Sequence, residues 1–359
     1  MAEFERDDAV PTARPWTIAS RIDHSPALNR LLDALSDPKR SAGAIAVTLL
    51  VYCALWTLYA TISRASQDIH FDMGEMIAWS RELALGTPKH PPLPIWLTAA
   101  WFGVFPLQEW AFYFLSMATA TLALWVAWMI AGDYLDGEKR VAGLALLTLV
   151  PFFNFLAIKY NANTAMTPTW ALTTWFFLRS YETRNTGWAA LAGLAAAAAM
   201  LAKYWAVILL IGLGIAALAD PRRARYFRSA APYVTVAIGA AALAPHLWWL
   251  YDHGFAAFGY ALESHPATLF DALRSGVVYM ASAAGYVAIP VLMALAVARS
   301  SRTAIADTLW PADPSRRTVV IAFVLPLVLP LVAAVIAHED VIPIWTISTM
   351  TLLDRKSVV

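Results

Sequence analysis

Asp72, Glu75, Lys89 and His90 are the residues of this chain whose types and spacing could do chemistry. Carboxylates exchange protons with hydroxyl groups, and a lysine beside a histidine can receive an anion. Their spacing groups them. The sequence predicts a surface helix over 72–86, with Asp72, Glu75 and Glu82 near one face and Met73, Met76, Ile77, Ser80, Leu83 and Ala84 on the other. Gly86, Thr87 and Pro88 are expected to end it, and His90-Pro91-Pro92 then holds the backbone extended, because a proline restricts the residue before it. A second amphipathic stretch is expected from Leu93. Two such helices joined by a rigid corner would aim Asp72, Glu75, Lys89 and His90 at one spot just outside a bilayer. The competing reading is a solvated helix face with Asp72 as its N-terminal cap.

The elements that must position these groups are transmembrane. Of 359 residues, 60% are hydrophobic and 14% charged, with a mean hydropathy of +0.57, against about 25% charged in an ordinary soluble domain. Apolar stretches are read at 43–62, 110–131, 141–157, 164–178, 187–201, 204–219, 231–250, 275–298 and 318–337, with an incomplete one from Val341. Some are shorter than a full span. Residues 1–42 mix acids, bases and prolines, so they read as a cytoplasmic tail rather than a cleavable signal. One cysteine, Cys53, excludes a disulfide framework, and a net charge of +1 makes nucleic acid an unsuitable partner.

Orientation follows from the basic residues. With these spans, 18 of the 26 lysines and arginines fall in the tail and in 132–140, 179–186, 220–230 and 299–317, all on one side. That side is expected to be cytoplasmic. The other side holds a long first loop, 63–109, a second at 251–274, and most of the histidines, including His265. Treating 93–105 as a span would invert every later loop, so it is kept at the surface.

The run Phe71-Asp72-Met73-Gly74-Glu75, then Leu85-Gly86 and Lys89-His90-Pro91-Pro92-Leu93, resembles the first periplasmic loop of the family 39 glycosyltransferases. These are the bacterial relatives of the dolichyl-phosphate-mannose protein mannosyltransferases and of the lipid A aminoarabinose transferase. The stretch Gly193-Leu194 to Leu201-Ala202-Lys203 is similar to that family's small-residue span ending in lysine. The resemblance covers about 43–260. It implies an all-α integral membrane GT-C bundle (domain 43–353) with two juxtamembrane amphipathic helices in its first outer loop. It also implies a sugar donor on a polyprenyl phosphate, undecaprenyl phosphate in bacteria, and an acceptor facing the periplasm: lipid A, lipopolysaccharide core, another glycan or a protein. By position Asp72 matches the catalytic acidic residue, with Glu75 the next acid. Lys203 matches a basic residue that receives the lipid phosphate, and Lys89, His90 and Lys159 are further candidates for the anion site.

The sequence departs from that pattern in two places. Met73 follows Asp72 where an acid is common, and Asn161-Ala162-Asn163-Thr164 stands where an aspartate is frequent. Amides bind hard cations more weakly than carboxylates, which leaves a divalent metal ion an open expectation. Lys203 and Lys159 also read as lysines snorkelling to the interface. Trp248, Trp249 and Tyr251 read as an interfacial belt, and Arg222, Arg223, Arg225 and Arg228 as topology determinants touching lipid headgroups. A lipid-linked sugar flippase or transporter is the alternative class. Such proteins place ionisable groups near the midplane of their spans, whereas these spans have almost none. The closing Asp354-Arg355-Lys356-Ser357-Val358-Val359 is the translation of a common sequencing adaptor, so 354–359 is expected to be non-native, with the natural C-terminal region cut short.

Overall fold

The computed structural model describes residues 25–135, 137–264, 267–298 and 302–352; His265 and the 354–359 tail lie outside them. The described residues form an all-α protein. Its helices are α1 (Pro26–Ser36), α2 (Ser41–Ser63), α3 (Phe71–Ser80), α4 (Leu93–Phe102), α5 (Glu109–Ala131), α6 (Gly137–Leu147), α7 (Ala162–Thr183), α8 (Thr186–Ala202), α9 (Val207–Ala219), α10 (Arg223–Phe227), α11 (Ala231–Asp252), α12 (Ala256–Ser264), α13 (Leu269–Ala298), α14 (Arg302–Leu309) and α15 (Pro314–Ala337). Five of them, α2, α5, α11, α13 and α15, are long and apolar enough to cross a membrane. Over half of α5 is buried, so it is the central post, while the other four turn most of their surface outward, as lipid-facing helices must. Within the expected tail, α1 packs on α2 and α6.

Three stretches differ from the sequence reading. The apolar run 141–157 does not form one helix: α6 stops at Leu147, Pro151–Phe153 make a 3-10 turn, and the backbone runs on irregularly to Tyr160. Pro151 supplies no N–H to a continuing helix. Neighbouring helices satisfy freed carbonyls, since Tyr52 Oη donates to Phe153 O (2.7 Å) and Ser116 Oγ to Ala157 O, while the segment's own Tyr160 Oη donates to Pro94 O of α4 (3.2 Å). The helix expected over 72–86 ends at Ser80, six residues early. The Ser80 hydroxyl donates back to Ile77 O (2.8 Å), and Leu83 adopts a left-handed φ of 48°, which no helix continues through. The third is α4, which is apolar around its whole circumference apart from Thr98 and buries Pro94, Ile95 and Thr98.

The core is aromatic and alanine-rich. Trp170 of α7, Tyr113 and Phe112 of α5, and Met73 and Met76 of α3 are fully buried, so the outer helix α3 is anchored to the bundle by its apolar face. A tight turn joins α7 to α8, with Arg184 left-handed (φ 57°) and Asn185 capping α8 through bonds to the Gly187 and Trp188 N–H groups. Gly193 brings α8 against α11: a Cβ there would lie 2.5 Å from the Thr235 carbonyl oxygen. Small residues permit this close approach, and it sets Lys203, at the end of α8, beside the C-terminal half of α11.

Candidate functional site

Each charged residue of the site sits at a helix end or a helix break. His70 caps α3: its Nδ1 accepts from the Asp72 backbone N–H (3.1 Å), so Asp72 is not the cap but the acid of the first turn, where the helix dipole favours an anion. Asn161 is the N-cap of α7 and closes a capping box. Its Oδ1 accepts from the Asn163 and Thr164 N–H groups (2.9 and 3.2 Å), while Thr164 Oγ1 accepts from the Asn161 N–H (2.7 Å). With its oxygen committed to the cap, the amide's Nδ2 donates to Asp72 Oδ2 at 2.8 Å. Lys159 Nζ stands 3.1 Å from the same Oδ2. An aspartate at 161 would cap α7 equally well but would set a second anion against Asp72, which explains the amide in physical terms.

Lys203 follows the last residue of α8 with an extended backbone (φ −161°, ψ 136°), and a 3-10 turn, Tyr204–Ala206, leads from it into α9. Its Nζ donates to Asn163 Oδ1 at 2.7 Å and lies 5.0 Å from the ring centre of Trp345. The first turn of α7 therefore holds both a carboxylate, through Asn161, and a lysine, through Asn163. On the corner between α3 and α4, the Thr87 hydroxyl accepts from the His90 N–H (2.8 Å), and the Thr87 N–H donates to His90 O (2.9 Å). Lys89 reaches from this turn to both Glu75 oxygens (3.0 and 2.8 Å).

These groups surround a cavity of about 590 Å³. Asp72, Lys89, His90, Lys159, Asn161 and Lys203 line its polar end. Val207 and Ile208 of α9, Phe258 of α12, and Pro330 and Ala334 of α15 give it an apolar wall. Five of the six residues that the sequence analysis proposed come together here. Glu75 does not line the cavity; it is spent on Lys89, and so is not placed for catalysis. Sequence reasoning named Asn161 and Asn163 only as a departure from a pattern, and it missed Trp345. The spacing of two amides around a helix start, opposite Asp72, is the signal that would have found the first two.

Electrostatics separate the three lysines. Burial alone would raise the Asp72 carboxyl, but the Asn161 hydrogen bond and the Lys159 cation outweigh it and hold Asp72 below the usual carboxylate value. Burial would lower Lys89, yet the bonds and charge of Glu75 prevail and raise it. Lys203 is lowered to about 7 by burial, with Asp72 opposing and Lys159 adding to the shift. Burial also lowers His90, to about 3, helped by Lys203 and Lys89, so it is a neutral hydrogen-bonding group at this site rather than part of the positive charge. Lys89 faces Glu75 and Lys159 faces Asp72, whereas Lys203 faces a neutral amide and, among the described residues, forms no ion pair within 4.0 Å. Among the described residues no three His, Cys, Asp or Glu side chains converge as metal ligands; of the three carboxylates lining the cavity, Asp72 already meets a lysine, and Glu339 and Asp340 belong to the segment after α15.

A sequence model of the dolichyl-phosphate-mannose-protein mannosyltransferase family matches residues 89–249, which include His90, Lys159, both amides and Lys203. Over this segment, less than half of the chain, the sequence is similar to that family, and the all-helical fold is of the GT-C type. The fold is also that of two crystal structures of ArnT from Cupriavidus metallidurans. Against the apo state, identity is 12% and the TM-score 0.64, over 87% of this chain and 58% of ArnT. Against ArnT bound to undecaprenyl phosphate, the values are 15% and 0.65, over 86% and 58%. The sequence thus corresponds to under two thirds of the length of ArnT. Among curated proteins none matches in sequence.

Proposed function

We propose that this GT-C protein is a membrane glycosyltransferase that moves one sugar from a polyprenyl-phosphate donor to an acceptor at the outer face. The observation that carries this reading is the cavity itself: a carboxylate and an uncompensated lysine at one end, and an apolar wall along α9 and α15. Such a vessel suits an amphiphile with an anionic head. The binding of undecaprenyl phosphate by ArnT, which shares the fold, supports the choice of lipid.

In this reading Lys203 receives the phosphate, with Trp345 beside it, and the prenyl tail lies along α9 and α15. Asp72 has Oδ2 engaged by Asn161 and Lys159, which leaves Oδ1, 4.0 Å from His70 Nδ1, to face the acceptor. The acceptor oxygen bonds to the anomeric carbon as the bond from that carbon to the phosphate oxygen breaks. The hydroxyl proton passes to Oδ1, and the polyprenyl phosphate leaves with its charge matched by Lys203. A carboxylate this acidic is ionised at neutral pH and takes the proton as the new bond makes the hydroxyl acidic. His90 contributes hydrogen bonds, not charge. The excess of basic residues on the loops at the opposite end supports a cavity facing the periplasmic side of a bacterial inner membrane.

The test is transfer from undecaprenyl-phosphate sugars to membrane acceptors, comparing the natural protein with Asp72→Asn. Transfer lost in the variant supports the enzyme and its base. Equal transfer removes Asp72 from the mechanism, and no transfer by either protein turns the reading to lipid transport.

A further inference from the structure

His246, on α11, takes no part in the chemistry above, yet it touches both halves of the site. The residue is 3% exposed. Nδ1 lies 2.6 Å from the carbonyl oxygen of Leu85, in the segment leading to the Lys89–His90 corner, and Nε2 lies 2.9 Å from the hydroxyl of Tyr204, the residue after Lys203. A carbonyl only accepts, so Nδ1 carries the proton; in the neutral ring Nε2 then accepts from Tyr204. Both ring nitrogens are satisfied at once, by segments more than a hundred residues apart in sequence.

The surroundings are built to hold this bridge. His246 lies nearly parallel to Tyr204 (21°) and to Trp249 (11°), and Tyr204 stacks in turn on Phe258. Gly86, next to Leu85, is pressed against Trp249, whose ring carbons a Cβ would meet at 2.5 Å. The corner therefore docks on α11 by contact as well as by hydrogen bond. The backbone bonds of the Lys203 turn are local, Lys203 N–H to Ala199 O and Ala206 N–H to Lys203 O (both 3.0 Å), and they do not tie it to the first loop.

We propose that His246 is a positioning residue that locks the Lys203 turn in register with the Lys89–His90 corner, so that the lipid-phosphate site exists only while both of its bonds are made. The functional half of this inference rests on the reading of the cavity given above; the mechanical half does not. His246→Asn keeps a donor near Nδ1 for the Leu85 carbonyl and cannot reach Tyr204. Tyr204→Phe removes the opposite partner and keeps the ring stack. Two readouts on the purified full-length protein test the bridge. Spin labels at Glu82→Cys and Ile211→Cys, in a Cys53→Ser background, report the distance between the first loop and α9. Titration with undecaprenyl phosphate in detergent reports the site.

Each single variant is expected to broaden the label distance distribution and to weaken undecaprenyl phosphate binding about tenfold, with the double variant no weaker than either. A packing role alone would lower thermal stability and leave both readouts in place. Unchanged distances, unchanged affinity, or additive losses in the double variant overturn the proposal. If the wild-type protein does not bind undecaprenyl phosphate, the lipid-phosphate reading and the functional half of this inference fall together, while the label distances still decide the bridge.

Discussion

The molecule has two charged clusters, one at each end of α7, and they are built on opposite principles. At the C-terminal end, Arg222 donates to both Glu182 oxygens (2.8 and 2.9 Å), to both Asp220 oxygens (3.0 and 2.7 Å) and to Ser315 (3.0 Å), while the Thr318 hydroxyl donates to Asp220 Oδ2 (2.7 Å). Every charge there is answered, and the network ties α7, the turn after α9, and α15 together. At the N-terminal end, Lys203 is answered by an amide and Asp72 Oδ1 by nothing closer than His70. Both clusters border cavities, Glu182 and Ser315 one of about 360 Å³, but the saturated cluster has its charges already paired, whereas the unsaturated one leaves Lys203, among the described residues, without an ion-pair partner. Charge balance, rather than charge content, separates the clamp from the site.

Variants at the two ends should therefore fail differently. The largest effect is expected for Asp72→Asn, which should lower sugar transfer by about 10²–10⁴ with the fold intact. Asn161→Asp should share part of that loss by setting a second carboxylate against Asp72, and a pH–rate profile would show its acid limb moved upward. At the other end, Arg222→Met leaves the fully buried Asp220 carboxylate uncompensated. It should cost about 3 kcal/mol of stability, read as a lower Tm, with undecaprenyl phosphate affinity unchanged. A loss of affinity there would break the contrast.

The first turn of α3 was legible in the sequence because Asp72, Met73 and Met76 carry a local pattern, and the family resemblance reached the same residues. The fold class was legible from composition and from runs such as 318–337. The rest depended on non-local contacts. Residues 141–157 are apolar enough for a helix, and Pro151 and the hydroxyl donors offered by α2 and α5 break the run. The early end of α3 turns on the backbone of Leu83, which nothing in its type announces. Lys203 stood out, but its lack of a counter-ion is a fact of three dimensions, as are the two partners of His246.

Protonation sharpens the contrast further. Lys203 in the free protein lies near pH 7 and must be charged to hold a phosphate. Undecaprenyl phosphate affinity should then fall by up to about tenfold per pH unit as pH rises above that point. Lys203→Arg should flatten the profile, since a guanidinium stays charged. Because the unfolded state keeps that lysine protonated to higher pH, it binds more protons there, and this group makes the unliganded protein more stable as pH rises above 7. The smallest effect is expected for Glu75→Gln. The Lys89–Glu75 pair is partly exposed (21% and 17%), so its loss should change stability by less than about 1 kcal/mol.

The most direct measurement is undecaprenyl phosphate affinity at pH 6.5 for the wild type, Lys203→Met and Lys89→Met. Both lysines line the same cavity, but among the described residues Lys89 is ion-paired with Glu75 and Lys203 has no carboxylate within 4.0 Å. Unbalanced charge as the determinant of the site predicts that Lys203→Met binds about 10–100-fold more weakly and that Lys89→Met stays close to wild type. Equal binding by Lys203→Met and wild type, or a greater loss in Lys89→Met, would contradict it.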